Sequence, residues 1–158
     1  LGVCFGHQLI AQAYGGTVLR GKNGSEVGVT HVSLTEEGRR DPLFLGLKEG
    51  TLRVAMYHSD VVSSVPDGVA IRLAENHLYE NQAFAYGDYI RTVQFHPEMT
   101  DGILSNLMEY RGEELIGDTF STRADLEKAY MDVRQTKTLS DVGHQVLKNF
   151  VKHFVLKD

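Results

Sequence analysis

Few side chains in this sequence can do covalent chemistry, and one stands at its front. Cys4 is the only cysteine among 158 residues and lies in "LGVCFGHQLIAQAYGG", between Gly2 and Gly6. A short apolar run, a tight turn and a helical pattern ending at Gly15 and Gly16 put it at a strand-to-helix elbow. There the sulfur is held exposed, and the positive end of the following helix favours the thiolate, which is the reactive form. Gly2 and Gly6 would allow the close contacts and unusual dihedrals of such an elbow. The backbone N–H of Phe5 would point toward an oxyanion formed beside the sulfur. Taken alone, the stretch reads equally well as a small buried apolar thiol.

A cysteine nucleophile needs a base that later protonates the leaving group, and an imidazole needs a carboxylate to orient it. The stretch "VQFHPE" offers both, as His96 and Glu98. A strand over residues 90–95, stopped by Pro97, leaves His96 at a strand end, where sheet-based sites sit. Read singly, His96 is a loop histidine and Glu98 a surface charge. The competing use of such residues is a metal site, since His58-x-Asp60 and His96-x-Glu98 are pairs of ligand types. Their spacing does not match that of metal sites, and no metal is expected. His7, His31, His77, His144 and His153 are assigned surface or structural roles.

The elements that must position these groups follow from pattern. A hydrophobic content of 42% over 158 residues suits one domain with its own core, residues 1–158. The net charge of −5, with both signs interspersed, leaves no footprint for nucleic acid or an anionic membrane. No apolar run reaches the length that spans a bilayer. A small-molecule or protein partner is expected. A single cysteine leaves no internal disulfide, which fits a reducing, cytoplasmic setting.

Valine- and threonine-rich runs, "GTVLRG", "EVGVTHVSLT", "TLRVAMYHS", "GVAIRLAEN", "NQAFAYG" and "DYIRTVQFHP", read as strands. "RRDPLFLGLKEG" reads as a loop or a single helical turn broken by Pro42, and Glu36, Glu37, Arg39 and Arg40 as a solvated loop. From Thr100 the pattern turns helical, with Leu126, Ala129, Tyr130 and Val133 at helix spacing. The last helix is expected to start at Ser140 as N-cap and to pack Val142, Val146, Leu147, Phe150, Val151 and Phe154 on the sheet.

"GVCFGHQ" followed much later by "QFHPE" closely resembles the paired signatures of class I (triad) glutamine amidotransferases. "NQAFAYGD" with "VQFHPE", residues 81–98, is similar to the GMP synthase-like members, and "YHSDVV" to the family's Ser-His-Gly-Asp segment. The resemblance spans residues 1 to about 98 and resumes in the final helix, "GHQVLKNFVKHF". It implies a flavodoxin-like α/β domain with a central, mostly parallel sheet flanked by helices. It implies hydrolysis of L-glutamine to glutamate and ammonia through a γ-glutamyl thioester, without a cofactor. Cys4 would be the nucleophile, His96 the base and Glu98 its orienting acid, with Phe5 N–H in the oxyanion hole. Gln8, His58 and Asp60 would hold the substrate. The ammonia would pass to a separate synthetase subunit or be released by a stand-alone hydrolase. The neighbouring chemistry is that of γ-glutamyl hydrolases and peptidases, which share the elbow, and a silent binding domain is the reading from another class.

Three departures accompany the resemblance. Family members carry strands and a glycine-rich oxyanion loop before the cysteine, so a longer precursor is expected for a chain that starts at Leu1. The Ser-His-Gly-Asp segment reads Tyr57, His58, Ser59, Asp60. Residues 100–139 form a longer helical tract than the fold core needs, suited to a lid, a docking surface or a cap.

Overall fold

Period-two alternation of apolar residues builds the centre of the molecule. The computed structural model describes residues 1–47, 50–135 and 139–156. In β3 (Glu26–Leu34) and β4 (Thr51–His58), Val32, Leu34, Leu52, Val54 and Met56 face one core, while Val27, Val29, Ala55 and Tyr57 face another. A sheet buried on both faces is therefore sandwiched between helices.

The remaining strands are β1 (Gly2–Val3), β2 (Thr17–Arg20), β5 (Asp60–Ser64), β6 (Ile71–Glu75), β7 (Ala83–Tyr86) and β8 (Ile90–Val93). Six of the eight form one sheet in the order β1-β8-β7-β6-β3-β4, and β2 pairs with β5 in a small antiparallel ribbon. Only the β1/β8 pairing is parallel among the described residues; β8/β7, β7/β6, β6/β3 and β3/β4 are antiparallel. The α/β class holds, but the expected mostly parallel sheet is corrected to a mixed one. Parallel neighbours need a long crossover connection, and the strands from β6 to β8 are joined by turns too short to supply it.

The helices are α1 (Phe5–Ala13), α2 (Glu36–Arg40), α3 (Asp101–Leu115), α4 (Arg123–Gln135) and α5 (Leu139–Phe150), with a 3-10 turn at Pro42–Phe44 and a π-helical turn at Val151–Val155. α5 covers one sheet face through Val146, which is fully buried, with Val142, Phe150 and Phe154 partly buried beside it. Burial of each such side chain contributes roughly 1.5–3 kcal/mol. α3 and α4 cover the other face through Leu104, Met108 and Val133, with Leu126, Ala129 and Tyr130 at its margin, as their spacing predicts. α1 packs Ala11 against Val62, Phe84 and Tyr86.

Several local expectations are corrected. Glu36 to Arg40 is a short helix, capped where the Thr35 hydroxyl accepts from Gly38 N, not a loop. Ser140 lies inside α5, and the residue preceding that helix falls outside the described residues. Val151 is 46% exposed, because the switch to a π-helical turn rotates it off the apolar stripe. β8 ends at Val93, two residues before the expected stop.

Candidate active site

At the elbow, Cys4 has φ 49° and ψ −103° and is the only non-glycine residue with positive φ among those described. Such a conformation costs about 1–3 kcal/mol and persists only where the surroundings over-determine it. Here Cys4 N donates to Val93 O at 2.9 Å, and α1 starts at the next residue. Gly2 makes the turn feasible: a Cβ there would lie 2.8 Å from Gly6 O. Gly6 itself is not sterically demanded, since a Cβ on it meets nothing within 4 Å. Phe5 N–H is the first donor of α1 and has no acceptor within its own helix; its side chain is 71% exposed.

Beyond β8 the chain leaves its β7 neighbour for β4. Gln94 N donates to Gln82 O at 2.8 Å, and two residues on His96 N donates to Ala55 O at 2.9 Å. This crossing brings His96 beside the elbow. α5 braces the turn, for a Cβ on Gly143 would fall 2.0 Å from Pro97 O, so only glycine allows that approach. His96 Nδ1 bonds Glu98 Oε1 at 2.6 Å. Its Nε2 is buried without a nitrogen or oxygen partner and has Cys4 as its electrostatic neighbour. Burial pulls the His96 pKa down, but hydrogen bonding to and negative charge on Cys4 and Glu98 outweigh it and raise the value to about 9. For Glu98, burial opposes ionisation, and the hydrogen bond and charge of His96 still hold the carboxyl below its ordinary range. Cys4, His96 and Glu98 are thus brought together as the spacing predicts.

Beneath the elbow lies a buried polar floor. Glu26, at the start of β3, accepts from Asn76 Nδ2 at 2.7 Å and Gln82 Nε2 at 2.9 Å, and its Oε2 is 3.3 Å from His58 Nε2. That last contact is ion-pair range but off the hydrogen-bond line. Desolvation would raise the Glu26 pKa, and these partners lower it overall. His58 Nδ1 bonds Asp60 O at 3.1 Å, so both of its nitrogens face acceptor oxygens. Asp60 O also accepts from Gln8 Nε2 at 2.7 Å. Among the described residues no group of three or more His, Cys, Asp or Glu could hold a metal ion. His7, 0% exposed, is structural: it bonds Thr92 Oγ1 at 2.8 Å and Asn81 O, and burial depresses its pKa to about 3.

The cleft above the floor holds about 500 Å³, and Cys4, Gln8, His58 and Asp60 all line it. Its far wall comes from α3 and the turn after it, with Arg111, Glu114 and Asp118. Asp118 pairs with Arg20 and accepts from Ser25 Oγ at 2.7 Å, and Ser25 Oγ lies 2.8 Å from Ser59 Oγ. One hydroxyl proton per serine and an acceptor-only carboxylate order this chain as Ser59 to Ser25 to Asp118. The helical tract at 100–139 is therefore a cleft wall tied to the Tyr57–Asp60 segment. Pattern reading missed Gln94, Glu26 and this wall. Gln94 had a signal, since it precedes His96 by two positions and so shares its side of an extended chain. Glu26 had none, being one acid in a strand pattern.

Comparison with known proteins converges on one family. Residues 1–109 match the family model Glutamine amidotransferase class-I. Gamma-glutamyl peptidase 4 of Arabidopsis thaliana is 30% identical over 154 residues, 96% of this chain and 59% of the relative. The glutamine-hydrolyzing subunit of GMP synthase from Methanosarcina mazei is 38% identical over 121 residues, 76% of this chain and 57% of the relative. A crystal structure of a glutamine amidotransferase from Thermotoga maritima superposes with a TM-score of 0.74 at 28% identity, covering 95% of this chain and 61% of that one. The chain spans about 60% of the length of the curated relatives it matches. No helix among the described residues is long and apolar enough to cross a membrane.

Proposed function

Because the chain belongs to the class-I glutamine amidotransferase family, we propose that it hydrolyses L-glutamine to glutamate and ammonia through Cys4, His96 and Glu98. The observation that carries this reading is the single strained non-glycine residue, a cysteine at a helix N-terminus, facing a histidine that a carboxylate orients.

The Cys4 thiolate attacks the γ-carbonyl carbon, and the oxyanion is met by Phe5 N–H at the positive end of α1. His96, carrying the thiol proton, gives it to the amide nitrogen; the C–N bond breaks, ammonia leaves and a γ-glutamyl thioester remains. Water then attacks with its proton passing to His96, the C–S bond breaks, and glutamate leaves. Glu98 holds the ring and stabilises the imidazolium without taking the proton. Gln8, His58 and Asp60 shape the substrate end of the cleft. Residues 1–158 act as one glutaminase unit, in the cytoplasm, and the ammonia passes to a separate synthetase subunit. Relatives named as one subunit of a GMP synthase support that last step.

A second reading, γ-glutamyl peptide hydrolysis by the same steps, is supported by one observation. The peptidase relatives align over 96% of this chain, and so across the α3–α4 tract that walls the cleft. Ammonia release from glutamine measured against cleavage of a γ-glutamyl anilide separates the two. A higher kcat/KM for glutamine supports the first reading, and turnover of the anilide alone overturns it.

A further inference from the structure

In a chain of side-chain amides, the direction of every hydrogen bond follows once one end can only accept. The main-chain oxygen of Asp60 is such an end. It lies 2.7 Å from the Gln8 amide, so the atom facing it is Nε2. That nitrogen is also 3.3 Å from the Gln94 amide, and its second proton requires Oε1 there. The other arm of Gln94 is then its NH2 group, which points at Cys4 Sγ from 3.7 Å. Gln94 is 1% exposed and Gln8 7%, so water does not compete for these bonds. The orienting carbonyl is itself held, because His58 Nδ1 bonds the same oxygen and Glu26 pairs with His58 from below.

We propose that Gln94 is a catalytic residue of this site: its Nε2–H donates to the Cys4 sulfur and stabilises the thiolate, while Gln8 positions the Gln94 amide. The proposal rests on Cys4 being the nucleophile. A donor to an ionised acceptor is the strong kind of hydrogen bond. It does not titrate, so it supports the sulfur both when the thiolate attacks and when it leaves the thioester. The Tyr57 carbonyl, 4.0 Å from the sulfur on another side, can only accept the thiol proton and offers the thiolate nothing. Reversing the Gln94 amide would turn a second lone-pair atom on the sulfur, and Gln8 prevents that.

The test uses the chain's single cysteine, since any incorporated alkyl group reports Cys4 alone. Iodoacetamide alkylation is followed by mass spectrometry as a function of pH in the native chain, in Gln94→Leu and in Gln8→Met. Hydrolysis by Cys4→Ala is measured in parallel. Gln94→Leu should alkylate about tenfold or more slowly at neutral pH, with its profile displaced to higher pH and kcat reduced more than KM is raised. Gln8→Met should shift the same profile in the same direction by less. If Gln94→Leu does not fold, Gln8→Met decides by the same readout. Unchanged profiles in the folded variants overturn the role of Gln94 even while hydrolysis still requires Cys4. Hydrolysis that survives in Cys4→Ala overturns the nucleophile instead.

Discussion

The cleft has a floor and a wall of opposite character. In the floor, the Glu26 and His58 side chains are 1% and 3% exposed and every partner is a neighbouring strand or amide. In the wall, Arg111 and Glu114 pair with each other on α3 while 47% and 64% exposed. Exposed pairs contribute little to stability, typically about 0–1 kcal/mol, whereas breaking a buried one leaves an uncompensated charge. The floor therefore holds the reacting sulfur, and the wall is free to vary with what enters the cleft. The substrates of such a fold can diverge through the tract at 100–139 without disturbing Cys4.

The largest expected effect lies on the reacting groups themselves. Cys4→Ala and His96→Ala should each lower kcat about 10⁴-fold or more while leaving the melting temperature nearly unchanged. Cys4→Gly should be equally inactive yet more stable than Cys4→Ala, by about 1 kcal/mol or more in urea unfolding, since glycine relieves the positive φ. Equal stability of the two would remove the strain from the account.

Next comes the floor. Glu26→Ala should destabilise the fold by about 3–5 kcal/mol, because His58 keeps its buried position without its carboxylate. Glu26→Gln, which retains acceptor capacity, should cost less. A loss below about 1 kcal/mol in thermal unfolding, no larger than for an exposed pair, would erase the contrast between floor and wall.

The pH dependence should follow His96. Its folded value near 9 stands above the ordinary 6.5, so the stability contributed by its pairing is fully present below pH 6.5 and is lost as pH rises through about 9. Activity that needs the imidazolium should fall over the same alkaline limb. Glu98→Gln should move that limb to lower pH and reduce kcat less than His96→Ala. An unmoved limb in the rate profile would separate Glu98 from His96.

The smallest effects belong to the wall. Arg111→Ala should change stability by less than about 1 kcal/mol. Its influence should appear in the KM ratio between glutamine and a γ-glutamyl anilide, because Arg111 lines the cleft beside Cys4.

How much of this was legible in the amino-acid pattern differs between the same regions. Cys4, His96 and Glu98 announced themselves because their spacing is local: a glycine-flanked elbow, and a proline that ends an extended run between base and acid. The floor was hidden because its members come from five chain segments, and nothing in Glu26 or Gln94 marks which amide or imidazole will lie against it. The strands from β6 to β8 stood out through their turn residues. β5 did not, since "YHSDVVSS" carries no glycine or proline where the chain bends at Ser59 between β4 and β5. Strand direction was missed for a similar reason: resemblance implied a parallel sheet, while the short connections dictate antiparallel pairing here.

The central claim, that Cys4 attacks a γ-glutamyl carbonyl with His96 as its base, is tested most directly by covalent trapping. A diazo-ketone analogue of glutamine is incubated with the chain and the product is mapped by tandem mass spectrometry. One adduct per chain, located on Cys4, suppressed by excess L-glutamine and strongly slowed in His96→Ala, is the predicted result. A chain left unlabelled while it still hydrolyses glutamine, or labelling at Cys4 that neither glutamine nor the loss of His96 affects, would contradict it.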